Sequence, residues 1–488
     1  MLVWVEVVCA SNDHHFKALN SNRFAIQWKR KIALKILVLG FDGASPQLID
    51  DWIDELPVFR KFKKEGVFGH TIPPIPAQTP VAWATFMTGK NPGNHGVFSF
   101  FMREKGSYER KIVGPETLKS KTIWHLLNEA GRKVATINVP MSDEEEGGLV
   151  VPGFLSRSEG IPSSNFRARI ERKFKTDRIQ GDLEIDTLER VEADPDSFFE
   201  KINEITDKMT EICLYLLQEE EWDFFMPVYM GLDRIQHFFW RHVDPTHPRH
   251  EENKYGKAVK NFYAKVDRIV DDFPGLVDED TMVMVLSDHG FCPVHTEVVL
   301  NDYLEHQGFS TTRSERVDVV RSKAISYGYG DIWLNVKGRE SKGVIGPGEE
   351  YERTRNEIIE YLRTITIDGQ KPFKDIRKRE ELWWGSYLSD APDLTAIFNI
   401  GYQAARRPEV TGKNSLKRYV NNNPRWSGGH DGTHDPTDVP GILGLLGPGI
   451  PNRSGVEVPL WDVAPTILDL MRIPVPVDMD GRPLKLTE

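Results

Sequence analysis

The chain has 488 residues, 39% hydrophobic and 28% charged, with a formal net charge of −11. That balance suits globular domains with sizeable cores and counts against a binder of nucleic-acid polymers, which carries a basic face. Three cysteines, Cys9, Cys213 and Cys292, form no C-x-x-C pair, which counts against a disulfide framework or zinc ribbon and fits a reducing, cytoplasmic setting.

No run approaches the roughly 20 apolar residues of a membrane span, and "MLVWVEVVCASNDHH" lacks a basic n-region, so neither a span nor a signal peptide is expected. Residues 1–33 precede the first convincing strand and read as an N-terminal extension of low expected order. "KILVLGFDG", Lys35 to Gly43, has the continuous apolar run of a strand buried on both faces, and it ends in Asp42-Gly43. "LPVFRKFKKEG" reads as a helix closed by Gly66, and "TPVAWATFMTG" as a helix capped by Thr79 with Pro80 at its first position. "TIWHLLNEAGRKVATINVP" gives helix, glycine turn and strand. A long helix follows over 193–220, and "DFFMPVYMGLDRIQHFFWRH" gives strand then helix.

"TMVMVLSDHGF" is another buried strand with a polar end. Residues 295–425 break the rhythm with Gly, Pro and charge clusters. They read as an inserted cap subdomain holding a strand at "DIWLNVKGRE" and a helix at "EEYERTRNEIIEYLRTI". "VPGILGLLGPGI" and "LWDVAPTILDLMRI" supply a last strand and helix. The predicted organisation is an α/β core over 34–294 and 426–488, interrupted by the 295–425 insert. The alternation implies a doubly wound, mostly parallel sheet flanked by helices, with its ligand site beyond the carboxyl ends of the strands.

Polar clusters fall at those ends. Asp42 closes the first strand. Asp233 and His237, four apart in "GLDRIQHFFW", share a helix face. Asp288 and His289 follow the strand "VMVLS", where Gly290 permits a loop that lets both reach one ion. His430 and His434 lie in "WSGGHDGTHDPTDVPG". Each fragment alone reads as a turn, a surface pair or a cap. Their joint placement points to carboxylate and imidazole ligands for zinc or manganese. A threonine hydroxyl is a poor nucleophile unless a metal lowers its pKa, and a helix start favours an incoming phosphate. His14, His15, His242, His247 and His250 sit in charged surroundings and are expected in solvent.

"KILVLGFDGA", "QTPVAWATFMTGKNPGNHGVFSF", "GLDRIQHFFW", "VLSDHGF", "APDL" and "GGHDGTHDPTDVPGILGLLGPGI" together resemble the alkaline phosphatase superfamily. Within it the match is to the type I phosphodiesterase/nucleotide pyrophosphatase group and its prokaryotic phosphohydrolase relatives, from about residue 35 onward. The resemblance implies an alkaline phosphatase-like fold and two divalent metals, zinc with manganese or magnesium as alternatives, about 4 Å apart. It implies Asp42, Thr79, Asp288 and His289 as ligands of one metal, and Asp233, His237 and a late histidine as ligands of the other. That late histidine is His430, with His434 as its rival. Thr79 would attack phosphorus in a small phosphate ester and form a phospho-threonine, which water then hydrolyses.

One position departs from the pattern. Diesterases of this group carry Asn three residues after the nucleophile, where this chain has Ala82, and Pro80 offers no N–H. The oxyanion donor is therefore expected elsewhere, at the Val81 amide or a cap residue, and the choice between monoester and diester stays open. A phosphotransferase or phosphonate hydrolase of the same superfamily, or a non-catalytic binding module on this fold, remains an alternative. Substrate choice is expected in the insert and in Trp83, Tyr327, Tyr329, Trp333, Trp383 and Trp384, each of which also reads as core packing.

Overall fold

The structure is a computed structural model that describes residues 35–143, 148–156, 165–175, 188–313, 316–405, 420–422, 424, 426–430 and 433–486. The N-terminal extension expected over 1–33 lies outside them. The strands used below are β1 (Ile36–Phe41), β2 (Val67–Ile72), β3 (Val134–Val139), β4 (Leu149–Pro152), β5 (Phe224–Tyr229), β6 (Met282–Leu286), β7 (Cys292–Val298), β8 (Ala324–Ile325), β9 (Asp331–Leu334), β10 (Phe373–Lys378), β11 (Leu394–Phe398), β12 (Gly441–Leu446) and β13 (Arg453–Pro459). The helices are α1 (Pro57–Glu65), α2 (Thr79–Thr88), α3 (Pro195–Glu219), α4 (Gly231–Phe239), α5 (Lys254–Asp272), α6 (Glu349–Thr364) and α7 (Val463–Leu470).

Eight strands form the main sheet in the order β13-β2-β12-β6-β1-β5-β3-β4. Every neighbouring pair is parallel except those of β12, which runs antiparallel to both β2 and β6. Central β1 pairs with β6 in the register Ile36 to Met282 and with β5 in the register Ile36 to Phe224. All six residues of β1 are buried. Its side chains alternate: Leu37, Leu39 and Phe41 enter the core shared with α3, α4 and α5, while Ile36 and Val38 enter the core shared with α2 and α7. A strand sandwiched by helices needs apolar residues at every position, and that explains its unbroken run. The expectation of a doubly wound, mostly parallel sheet holds.

A second, four-stranded antiparallel sheet, β8-β9-β11-β10, lies within the 295–425 segment. It has its own apolar core, in which Ile358, Ile359 and Leu362 of α6 meet Ile332, Leu334, Ile376 and Leu394. No helix among the described residues is long and apolar enough to cross a membrane.

Candidate active site

Two strands, two helices and a late loop deliver the site. β1 ends at Phe41, so Asp42 is the first residue past the sheet, and Gly43 turns the chain there with φ +73°. A Cβ on Gly43 would lie 2.7 Å from the Phe291 ring and 3.0 Å from the Asp233 backbone, so only glycine lets the loop pass this close to α4. The Asp233 amide donates to the Asp42 carbonyl (3.1 Å). Gln236 Nε2 donates to the Gly43 carbonyl (2.7 Å), and the Tyr263 hydroxyl donates to Gln236 Oε1 (2.9 Å) while accepting from the Ser45 amide (3.0 Å). This network locks the end of β1 onto α4.

Asp233 and His237 share one face of α4, as their spacing predicts, with His237 Nε2 3.4 Å from Asp233 Oδ1. His430 arrives from the far end of the chain and places its Nε2 3.1 Å from the same oxygen. β6 ends at Leu286, and the following loop carries Asp288 and His289. His289 Nε2 lies 3.2 Å from Asp288 Oδ2 and 3.6 Å from Asp42 Oδ1, and its ring stacks on His430 at 3.5 Å. Asp233, His237 and His430 form one group of mutually close ligand atoms, and Asp42, Asp233 and His289 form another. His434 belongs to neither group; its Nε2 faces the Tyr402 carbonyl (2.9 Å).

The tautomers follow from the partners. His430 Nδ1 faces the Ala77 carbonyl (2.6 Å), His237 Nδ1 the Gly428 carbonyl (3.1 Å) and His289 Nδ1 the Gly290 carbonyl (3.2 Å). A carbonyl only accepts, so each Nδ1 carries the proton and each Nε2 presents a lone pair. All three lone pairs face carboxylate oxygens. Asp42 Oδ1, Asp233 Oδ1, Asp288 Oδ2 and His289 Nε2 are buried and have no hydrogen-bond partner. Facing lone pairs repel unless a cation lies between them, so this donor set fits divalent metal ions.

The electrostatics agree. Burial first, then the charge of Asp233, pushes the Asp42 carboxyl up to about 8. Burial, then Asp42 and Asp233, raises Asp288 well above the carboxylate range, and burial holds His289 far below its usual value. In the metal-free chain, folded Asp42 and Asp288 keep protons that the unfolded chain has released above 3.8, so stability falls as pH rises toward 8. Below 6.5 the buried neutral histidines, His289 and His95, act in the opposite sense, because only the unfolded chain takes up their protons. The carboxylates therefore act alone between pH 6.5 and 8. Chelated protein should lose several degrees of melting temperature across that window, and saturating metal should remove the slope. A flat profile without metal would contradict the protonated-acid account.

Thr79 is buried at the start of α2. It is the first helical residue, with Gln78 as the cap, so the expected capping role of its side chain is not seen. The reason is local: Gln78 holds the extended cap conformation, φ −88° and ψ 139°, and turns its own Oε1 to the Phe100 amide (3.0 Å). The carbonyl of Ala77, two residues before Thr79, is the one that orients His430.

Trp83 was expected as a substrate or core aromatic, and its role as the partner of a site acid was missed. One turn after Thr79, it is fully buried, and its Nε1–H donates to Asp42 Oδ2 (2.8 Å). It orients an acid rather than meeting substrate. The available signal was its i+4 spacing from Thr79. Trp83→Phe should weaken metal affinity about 10- to 100-fold, the usual cost of losing an outer hydrogen bond to a ligand. Titration of the metal-free protein measures this, with the melting temperature reporting packing loss separately; unaltered affinity would show that Asp42 is held by other contacts. Trp426, which stacks on His237 at 3.5 Å, was also missed.

Two expected surface histidines are buried instead. His242 Nδ1 donates to the Glu251 carbonyl (2.9 Å) and His247 Nε2 to the Val294 carbonyl (3.0 Å), tying down the 240–251 loop.

A family model described as Type I phosphodiesterase / nucleotide pyrophosphatase matches residues 36–434. The chain belongs to that family. Members of the type I phosphodiesterase/nucleotide pyrophosphatase family are metal-dependent phosphoester hydrolases, and the chain is one of them. Among solved structures, human ectonucleotide pyrophosphatase/phosphodiesterase 5 aligns with 16% identity and a TM-score of 0.56, over 92% of this chain and 97% of that one. The murine protein aligns with 15% identity and a TM-score of 0.55, over 91% and 96%. An inactive threonine-to-alanine variant of the murine protein, in complex with AMP, aligns equally well, with 15% identity, a TM-score of 0.55 and the same coverage of 91% and 96%. At these identities the likeness shows the alkaline phosphatase-like fold. No curated protein matches the chain in sequence.

Proposed function

We propose that the chain hydrolyses small phosphate esters, monoester or diester, through a phospho-threonine on Thr79. In this reading Asp42, Thr79, Asp288 and His289 hold one divalent cation, and Asp233, His237 and His430 hold a second. The observation that carries it is the convergence of three imidazoles on buried carboxylates, His237 and His430 on Asp233 Oδ1 and His289 on Asp42 and Asp288, with the Ala77 carbonyl just before α2 orienting His430. Divalent metal bound there, zinc by donor type, supplies charge to a phosphoryl oxygen and lowers the pKa of a hydroxyl or a water.

The chain's own groups do the rest. The first bonded amide of α2 is Ala82 N–H, which donates to the Gln78 carbonyl (2.8 Å). The amides of Thr79 and Val81 precede it, and Pro80 has none, so these two are the helix-start donors that a phosphoryl oxygen can meet. Attack forms the Thr79 Oγ1–P bond and breaks the bond to the leaving alcohol. Water then cleaves the phospho-threonine and restores the hydroxyl. The inactive threonine variant of the murine neighbour supports the threonine's part. Buried, unpaired Cys213 and Cys292 support a reducing, cytoplasmic setting.

The test is a panel of aryl phosphate monoesters, diesters and nucleotide conjugates, assayed after metal stripping and add-back. Metal-restored release of the alcohol is expected for at least one ester class. Inactivity on every class with zinc, manganese and magnesium would favour a binding module on this fold. Phosphate captured by an added alcohol in preference to water would favour a phosphotransferase.

A further inference from the structure

We infer that a cavity at the C-terminal end of α4 is a binding site for a small organic oxyanion, a carboxylate or phosphate carried on a short apolar body. The cavity lies between the end of α4, the start of α5 at Asn253 and Tyr255, the start of α3 at Pro195, and the loop at Pro424 and Ser427. Its volume is about 360 Å³, which suits a small molecule. None of the carboxylates and imidazoles of the cation cluster lines it. It is therefore a second site, and it stands independently of the phosphohydrolase reading.

Two guanidiniums line the cavity, those of Arg241 and Arg249. Arg241 is held in place. Its amide donates to Ser427 Oγ (3.2 Å), and its Nε donates to His242 Nε2 (3.2 Å). His242 Nδ1 donates to the Glu251 carbonyl (2.9 Å), so Nε2 carries the lone pair that receives the guanidinium. Burial lowers His242 below its usual value, which keeps that imidazole neutral. Arg241 is thus oriented by a partner that does not cancel its charge. Among the described residues its other N–H donors meet no acceptor, and no carboxylate lies within ion-pair distance of it.

Arg249 adds a second positive charge. Burial, then the charge of Arg241, lowers its basicity, while Glu192 and Glu297 act in the opposite sense. Glu192 and Glu251 also border the cavity, and both are exposed to solvent. Two guanidiniums that repel each other across a half-buried space are relieved by an oxyanion, whose oxygens match their planar fork. The rest of the lining is apolar. Phe239 is buried, with its ring 5.4 Å from that of Tyr255, and Phe238 adds a half-buried ring. Such a surface favours an anion with a carbon body over a bare ion.

The test is calorimetric titration of the metal-loaded protein with hexanoate, hexanamide and acetate. Hexanoate should bind about tenfold tighter than hexanamide and roughly tenfold tighter than acetate. Arg241→Met should bring hexanoate down to the hexanamide level. Arg241→Lys, which keeps the charge and loses the fork, should fall between. Phe238→Ala should narrow only the gap to acetate, and melting temperatures of the variants report any loss of folding separately. Hexanoate binding should persist after chelation. In the chelated protein, pentylphosphonate binding tighter than hexanoate would assign the site to a phosphate-bearing ligand, and the reverse order to a carboxylate. Equal affinity for hexanoate and hexanamide would overturn the inference. So would hexanoate binding that is unchanged in Arg241→Met, or that disappears with the metal.

Discussion

Thr79→Ala is expected to lower kcat by about 10³-fold or more while both metals stay bound, because it removes the attacking oxygen and leaves the acids and imidazoles in place. The site is built so that the two effects separate. Asp233, His237, His289 and His430 are held by backbone carbonyls and by one another, not by the Thr79 side chain. Acid-quenched turnover should trap phosphate on wild-type protein and none on the variant. Full activity in the variant would dismiss Thr79 as nucleophile and move attention to a directly attacking water.

The second large effect is expected at α4. His237→Ala should carry about one metal fewer per chain than wild type. Asp233→Ala should lose more, since its carboxylate belongs to both groups of ligand atoms and its Oδ1 faces two imidazoles. Activity should fall about 100-fold or more in each, at least the cost of losing an outer partner of a ligand. Metal analysis of the purified variants measures the stoichiometry. Unchanged content in both would disprove the assignment of α4 as a metal-holding helix.

Much of this was legible in the sequence, for stated physical reasons. Buried parallel strands have unbroken apolar runs, so β1, β5 and β6 and the polar residues at their ends could be read directly. The i, i+4 rule places Asp233 beside His237 on one helix face. What escaped was whatever depends on contacts between distant segments. Trp83 reads in the sequence as a substrate or core aromatic, and only the fold shows its N–H meeting Asp42. His242 and His247 lie among charged residues, yet carbonyls from residues 251 and 294 draw both inside. Spacing favoured His430 over His434, four residues later, without excluding the second; the contacts with the Asp233 and Tyr402 oxygens show which ring faces the acid and which faces away.

β12 has a consequence for how the protein is made. It is the sheet's one antiparallel strand and sits between β2, which ends at Ile72, and β6, though it begins only at Gly441. Until it leaves the ribosome, β2 and β6 each expose an unpaired edge, a template for wrong pairing. His430 precedes β12 by about ten residues, so the last imidazole reaches Asp233 at almost the moment the sheet closes. On the ligand set proposed above, metal binding would be completed only then, and a chain stalled before residue 430 would lack both that ligand and the strand that closes the sheet.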